Sequence, residues 1–228
     1  MNWFTQALSS TLGKKLVMAL TGLFLILFLT GHLIGNLQLF KDDGGQSFNE
    51  YAKFMTTNPL IKILSYLTYF SVLFHVIYSI VITLQNRRSR PIKYAVNKRS
   101  ENSPWNSRNM GILGTLILIF LVIHLRSFWY EMHYGIMPMV EYDGGGQLKD
   151  LYAITAAAFA ELWYVILYVV CMVVLAYHLI HGFQSAFQTL GLQHPKYSPI
   201  VKFLGVAYGI LVPLLFAAMP VFLYMKSI

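Results

Sequence analysis

Charged residues are scarce in this chain: they make up 11% of the sequence, whereas 57% of it is hydrophobic. A typical soluble domain has about 25% charged and about 45–50% apolar residues. So little polar surface excludes an ordinary cytosolic enzyme, a disordered chain and a nucleic-acid-binding domain. We therefore expect an all-α, polytopic membrane protein with no nucleic-acid partner.

Cysteine is almost absent as well. The single one, Cys171, lies in the middle of an apolar run. One cysteine cannot form an internal disulfide, hold an iron–sulfur cluster or build a thiolate zinc site. We interpret Cys171 as a small core residue.

Five apolar runs are long enough to cross a membrane, which takes about 20 residues. They predict spans at residues 15–40, 60–86, 109–131, 160–188 and 200–225, within a single domain over residues 1–228. The first run follows Lys14 and Lys15 as in a signal peptide, but it is too long for one and no small-residue cleavage site follows. We therefore expect a retained helix there and a bundle of five transmembrane helices.

The loops between these spans differ in charge. The loop between the second and third spans is basic, with one acid, Glu101, against Arg87, Arg88, Arg90, Lys93, Lys98, Arg99 and Arg108. The loop between the third and fourth spans is acidic, with Lys149 against Glu131, Glu141, Asp143, Asp150 and Glu161. The positive-inside rule places the basic loop in the cytoplasm. The N-terminus is then predicted to be cytoplasmic and the C-terminus to be outside.

Histidines inside the spans are the most informative residues. Four of the seven, His32, His75, His124 and His178, lie well inside the first four spans. An ionisable side chain in a transmembrane helix is costly and is a candidate for function. At a rise of 1.5 Å per residue, His32 and His124 lie about 25 Å and about 22 Å from the cytoplasmic ends of their spans, and the other two about 14 Å. The sequence thus predicts an outer pair, His32 with His124, and an inner pair, His75 with His178.

Paired imidazoles at one depth on different helices are what a six-coordinate haem requires, because each ring presents one nitrogen to the iron. The other ring nitrogen usually donates to a carbonyl, hydroxyl or carboxylate. Small residues one turn from a ligand, such as Gly35 and Gly182, leave room for a flat macrocycle. Zinc normally recruits three or four ligands, and a proton relay needs carboxylates, which the span interiors lack. The pairs therefore predict two haems b.

Several segments around these histidines resemble a known family. They are Thr21-Gly22-Leu23-Phe24 through Gly31-His32, Phe74-His75, Val122-Ile123-His124-Leu125, and H-x-x-x-G-x-x-S-x(5)-G starting at His178. They resemble the dihaem cytochrome b membrane anchor of succinate:quinone oxidoreductases, the five-helix, single-subunit type of respiratory complex II. The resemblance covers nearly all of the chain. It implies that the four histidines bind two haems, with the first helix paired with the third and the second with the fourth.

The same resemblance implies partners and a location. The chain would be the subunit of a succinate dehydrogenase or fumarate reductase that binds no dicarboxylate, in the bacterial inner membrane. It would hold a flavoprotein subunit and an iron–sulfur subunit at the cytoplasmic face. It would exchange electrons with membrane quinone, for which we expect menaquinone.

Five further polar residues are candidates with open alternatives. His181, one turn after His178, is a rival ligand, a contact for a haem propionate or quinone, or part of a polar pocket. Arg126 either reaches the membrane surface or pairs with a propionate of the outer haem. Near the outer ends of spans two and three, Glu50, Glu131 and His133 are candidates for the quinone site. Each could equally be an interfacial or solvated loop residue.

Two other functions stay open at this point. One is the cytochrome b subunit of another respiratory dehydrogenase, such as a formate dehydrogenase or hydrogenase. The other is a transporter that couples protons through histidine, for which broken helices and an inverted repeat would be expected. We find no such repeat in the sequence.

Overall fold

The computed structural model of the chain describes residues 2–89, 99–142 and 146–228. The described residues form α1 (Trp3–Ser9), α2 (Thr11–Asn36), α3 (Gln46–Thr57), α4 (Pro59–Arg88), α5 (Arg99–Asn102), α6 (Trp105–Arg108), α7 (Met110–His124), α8 (Glu131–Tyr134), α9 (Leu151–Phe159), α10 (Leu162–Thr189) and α11 (Ser198–Ser227). Two short strands, β1 (Met139–Val140) and β2 (Leu148–Lys149), pair antiparallel. The predicted all-α fold is confirmed.

Among the described residues, five helical segments are long and apolar enough to cross a membrane. They are Thr11–Phe40, Pro59–Arg88, Met110–Tyr134, Leu162–Thr189 and Ser198–Ser227. The first continues from α2 through a 3₁₀ turn, Leu37–Phe40, and the third from α7 through a π-helical turn, Leu125–Tyr130, into α8. Even the shortest, with 25 residues, is about 37 Å long, which exceeds a hydrocarbon core of about 30 Å. The chain is therefore a multi-pass membrane protein.

The surface of these segments is apolar. Only 6% to 33% of the residues in the most apolar stretch of each segment are buried within the chain. Ile63 and Phe70 on α4, for example, are 65% and 59% exposed. Such side chains would be unfavourable in water, but lipid is as apolar as they are.

Local sequence signals set the ends of two of the long helices. Asn58 caps α4, since its Oδ1 accepts the backbone N–H of Leu60 (2.9 Å), and Pro59 occupies the first helical position. At the end of α10, Gly191 has φ +72°. Its backbone N–H donates to the Gln188 carbonyl, and the N–H of the next residue, Leu192, donates to the Phe187 carbonyl. This is a glycine C-cap of the Schellman type. It ends the helix within the long uncharged run that continues to Pro195.

Two proline residues lie inside the last long helix. Pro213 and Pro220 are both within α11, which continues through them. Membrane helices tolerate proline because neighbouring groups can satisfy the freed backbone carbonyls.

The chain forms two compact units. Unit 1 comprises Met1–Phe28, Tyr66–Thr115 and Tyr177–Ile210, and unit 2 comprises Leu29–Ser65, Leu116–Ala176 and Leu211–Ile228. His75 and His178 belong to unit 1, whereas His32 and His124 belong to unit 2. That the whole chain is one domain stays a prediction.

Unit 2 also contains a compact layer that the sequence did not predict. It consists of α3, α9 and the β1–β2 pair, with α3 packed against both α9 and β2. A tight turn leads into α3, and there Gly45 has φ +89° and packs so closely on the Tyr152 ring that no Cβ would fit. Only glycine meets both requirements at this position. We call this layer, residues 41–57, 139–142 and 146–159, the loop layer.

Candidate functional site

The first histidine pair lies in unit 2. His32 on α2 and His124 at the end of α7 have ring centroids 5.8 Å apart, with ring planes at 88°. A metal–imidazole bond of about 2.0 Å places the centroids of two opposed rings about 6 Å apart when one metal lies between them. The spacing therefore fits a single metal held by both rings. Phe216 of α11 packs beside His32 at 5.7 Å.

The second pair lies in unit 1 and has nearly the same spacing. The rings of His75 on α4 and His178 on α10 have centroids 6.3 Å apart and planes at 65°. Together the two pairs take one histidine from each of α2, α4, α7 and α10. The rings that the structure brings together are those that the depth calculation grouped, while their role as haem ligands stays a prediction.

Hydroxyl groups lie against one ring nitrogen in each pair. The Thr21 hydroxyl donates to the Val17 carbonyl (2.8 Å) and lies 3.4 Å from Nδ1 of His75, so it can accept a proton from that ring. The Tyr168 hydroxyl lies 3.2 Å from Nδ1 of His124. When Nδ1 carries the proton, Nε2 keeps its lone pair and is available to a metal. This is the arrangement usual for metal-bound histidine.

His178 provides a second test of fit. Its Nδ1 is buried and has no hydrogen-bond partner among the residues that the structure describes. An unpaired buried nitrogen is costly, and a bound group would relieve the cost only by engaging Nδ1 itself, since a metal on Nε2 would leave Nδ1 unpaired. The ring spacings of both pairs still fit a bis-histidine haem.

Glycine residues allow close approach in unit 1. A Cβ on Gly22 would lie 3.2 Å from Cε1 of His75, and one on Gly114 would lie 3.9 Å from Cε1 of His178. A Cβ on Gly182 would meet no protein atom within 4 Å, so packing inside the described chain does not require that glycine. Gly35 differs from our expectation, because the ring of Tyr51 packs directly on it. Gly35 therefore makes room for a tyrosine rather than for a macrocycle.

Arg126 forms an ion pair with Glu131, another candidate residue. It lies in the π-helical turn, and its guanidinium lies 4.5 Å from the centre of the Tyr130 ring. Its side chain is 65% exposed. The propionate contact stays a prediction, and it would compete with Glu131 for the same guanidinium.

The two remaining histidine candidates have different surroundings. His133 stacks on Trp129 with centroids 4.5 Å apart and donates from Nδ1 to the Trp129 carbonyl (2.8 Å). His181 is partly buried one turn after His178. The ring that packs against His75 belongs to His178.

Glu50 lies beside a cavity of about 300 Å³ in the loop layer. The cavity is lined by Glu50, Lys53, Phe54, Thr57, Tyr142 and Leu148, among others. One oxygen of Glu50 accepts a hydrogen bond from Gln46 (2.8 Å). Burial raises the pKa of Tyr142, which therefore stays protonated at neutral pH. The cavity thus combines an acid, a base, a phenol and apolar walls, which is the usual make-up of a small-molecule site.

The sequence analysis missed a polar chain beside His124. The hydroxyls of Tyr168 and Tyr164 are 3.2 Å apart, and Tyr164 donates to Oγ of Ser127 (2.7 Å). Both tyrosines are buried, each 6% exposed. A signal was available in the sequence, because tyrosines four residues apart lie on one helix face.

No protein-family model, curated protein or solved structure matches the chain.

Proposed function

We propose that the chain is the membrane anchor and electron-transfer subunit of a succinate:quinone oxidoreductase, with two bis-histidine haems b. The observation that carries this proposal is the spacing of the two histidine pairs, 5.8 Å and 6.3 Å, each drawn from two different long helices. The motif resemblance supports it. As such a subunit, the chain takes part in succinate oxidation or fumarate reduction without binding a dicarboxylate.

The histidines and their neighbours have defined tasks in this proposal. His32 and His124 hold one haem, and His75 and His178 hold the other. Haem b, when bound, supplies one-electron transfer at each pair. Thr21 and Tyr168 orient two of the imidazoles through Nδ1. The apolar helices keep water away from both pairs.

The charge pattern supports an orientation in the bacterial inner membrane. The basic loop from Arg87 to Arg108 faces the cytoplasm, with the N-terminus on the same side and the C-terminus outside. Residues 90–98 of this loop lie outside the described residues. We assign this face to the flavoprotein and iron–sulfur subunits, because the anchor must bind its soluble partners there.

Quinone, which we take to be menaquinone, reacts on the outer side in this proposal. A second haem is useful only if electrons must travel to the far side of the membrane. We favour the open depression beside Glu50, since an acid and a protonated phenol line it. Glu131 and His133 are the alternative, although Glu131 is already paired with Arg126.

A second candidate function rests on the same histidine pairs. A cytochrome b subunit of another respiratory dehydrogenase would hold haem in the same way. The two candidates differ in their soluble partners, so the subunits that co-purify with the chain decide between them.

The test is purification of the intact complex from the native membrane, with haem quantified as the pyridine haemochrome and every subunit identified. The proposal expects two haems b per chain, a flavoprotein and an iron–sulfur protein. One haem per chain, or none, would overturn it. A different set of partners with two haems would favour the second candidate.

A further inference from the structure

Three hydroxyl groups form a hydrogen-bonded chain that begins at the ring of His124. Nδ1 of His124 lies 3.2 Å from the Tyr168 hydroxyl, which lies 3.2 Å from the Tyr164 hydroxyl, and Tyr164 donates to Ser127 at 2.7 Å. His124 is the last residue of α7, and Ser127 lies in the π-helical turn that follows it. π-Helical turns often occur at functional sites.

The direction of each hydrogen bond follows from counting protons. A phenol has one proton to donate, and Tyr164 gives its own to Ser127. Tyr164 must then accept from Tyr168, which uses the only proton of Tyr168. Tyr168 can therefore only accept from His124, whose Nδ1 must carry the proton. The chain runs from His124 to Tyr168, Tyr164 and Ser127, and Nε2 is the nitrogen left for a metal.

Aromatic packing fixes the position of the accepting hydroxyl. Phe120 and Phe159 both pack edge-on against the Tyr168 ring, with centroids 4.9 Å away. Tyr168 is 6% exposed. Replacing it with phenylalanine would keep this packing and remove only the oxygen that accepts from His124.

We propose that Tyr168 is a positioning residue that sets the tautomer and basicity of His124. This inference rests on the proposed function. A hydrogen bond from Nδ1–H makes a coordinating imidazole more basic. A more basic ligand favours ferric over ferrous iron, so Tyr168 lowers the reduction potential of the haem held by His32 and His124. Tyr164 and Ser127 strengthen the effect, because each fixes the proton of the preceding group.

The pair in unit 1 provides an internal comparison. Its hydroxyl is that of Thr21, at 3.4 Å from Nδ1 of His75 and with its own proton given to Val17. Removal of each hydroxyl should therefore affect a different haem. Tyr66, which is 71% exposed on α4, serves as the control, because it is a tyrosine that belongs to neither histidine pair.

The experiment is an optical redox titration of the intact complex carrying Tyr168→Phe, Tyr164→Phe, Thr21→Val or Tyr66→Phe. Tyr168→Phe should raise the ratio of reduced to oxidised haem at a fixed potential about fivefold, and for one haem only. At 59 mV per tenfold, this corresponds to a reduction potential higher by about 40 mV. Tyr164→Phe should shift the same haem less. Thr21→Val should shift the other haem, and Tyr66→Phe neither. The electron paramagnetic resonance signal of the shifted haem should change in parallel.

The outcomes separate this inference from the proposed function. If the wild-type complex holds no haem b, the proposed function fails. If both haems are present but Tyr168→Phe and Tyr164→Phe leave both potentials at the wild-type value, only the role of Tyr168 is overturned. It is also overturned if Tyr168→Phe and Thr21→Val shift the same haem. If Tyr168→Phe fails to accumulate, Tyr164→Phe alone tests the role of Tyr168. This variant leaves the bond to His124 in place, so a smaller shift of the same haem supports the role and an unchanged potential overturns it.

Discussion

Asn49 on α3 donates a 2.9 Å hydrogen bond to Asp150, although 101 residues separate the two in the sequence. The same amide also donates to the Tyr142 hydroxyl and accepts the backbone N–H of Tyr152, both at 2.9 Å. Asn49 is 1% exposed. A single buried side chain thus joins α3 to the segments on both sides of β2 and holds the loop layer together.

We predict that Asn49→Ala destabilises the protein by about 2–3 kcal/mol, because it removes three hydrogen bonds at a buried position and takes away the Asn49 partner of the half-buried Tyr152 N–H, while Asp150 keeps its bond from Ala153. The free energy of unfolding should be measured by chemical denaturation in detergent. Asn86→Ala is the control, since Asn86 is exposed near the end of α4. Equal stability of the two variants would show that Asn49 does not hold the loop layer.

The start of α3 should be sensitive to acid. Hydrogen bonds from the Ser47 side chain and from the backbone N–H groups of Ser47 and Gly45 keep the pKa of Asp43 below its usual value. A lowered carboxyl pKa stabilises the fold above the unfolded pKa of about 3.9, and this stabilisation is lost as the pH falls through the folded pKa. Melting temperatures between pH 6 and pH 3 should fall less steeply for Asp43→Asn than for the wild type. Identical slopes would contradict this role.

The membrane-spanning helices were predictable because lipid imposes one simple requirement. Each helix needs about 20 apolar residues to cross the membrane. The predicted span 60–86, for example, lies within the helix Pro59–Arg88, and the predicted span 200–225 lies within Ser198–Ser227. The loop layer was not predictable, because α3 is not an apolar run and its position depends on Asn49 and partners about 100 residues away. The π-helical turn after His124 has no sequence signal that we recognise.

The pairing of the histidines followed from helix rise alone, since depth is nearly linear in residue number along a helix. The hydroxyl partners could not be found in that way. Their contacts depend on how neighbouring helices are rotated, which depth does not specify. Thr21 is part of the motif that carries the resemblance, but only the structure places it beside His75.

Single substitutions should divide the four histidines into two pairs. His32→Ala and His124→Ala should each remove one haem, and the double variant should remove no more than that one. His75→Ala and His178→Ala should remove the other haem. The measurement is haem per chain, with His194→Ala, in an exposed loop, as the control. Loss of a haem in His181→Ala with both retained in His178→Ala would move the ligand to His181.

Orientation can be tested with two cysteines in a Cys171→Ser background. Lys98→Cys and Gly144→Cys both lie outside the described residues, so the prediction rests on loop charge alone. A membrane-impermeant maleimide applied to intact cells should label residue 144 and not residue 98, and both should react after permeabilisation. Labelling at residue 98 alone in intact cells would reverse the orientation.

The last prediction concerns the quinone site, for which we favour one of the two acids. Quinone chemistry moves protons as well as electrons, so a titratable group is needed at the site. Glu50 faces a cavity of about 300 Å³ together with the protonated phenol of Tyr142. Glu131 is held by Arg126. We therefore expect the greater loss of activity from substitution of Glu50.

Glu50→Gln should lower quinone turnover by about 100-fold or more, because proton transfer by a positioned acid contributes at least that much. Glu131→Gln should have a smaller effect, and Glu141→Gln, an exposed acid between β1 and the cavity residue Tyr142, should have none. Haem content must be unchanged in all three.

An outer site also makes electrons cross the membrane, which couples turnover to the membrane potential at about 2.3 kcal/mol per charge per 100 mV. If Glu50→Gln and Glu131→Gln both keep full activity, neither acid serves quinone. If turnover in sealed vesicles is also independent of the membrane potential, quinone does not react on the outer side.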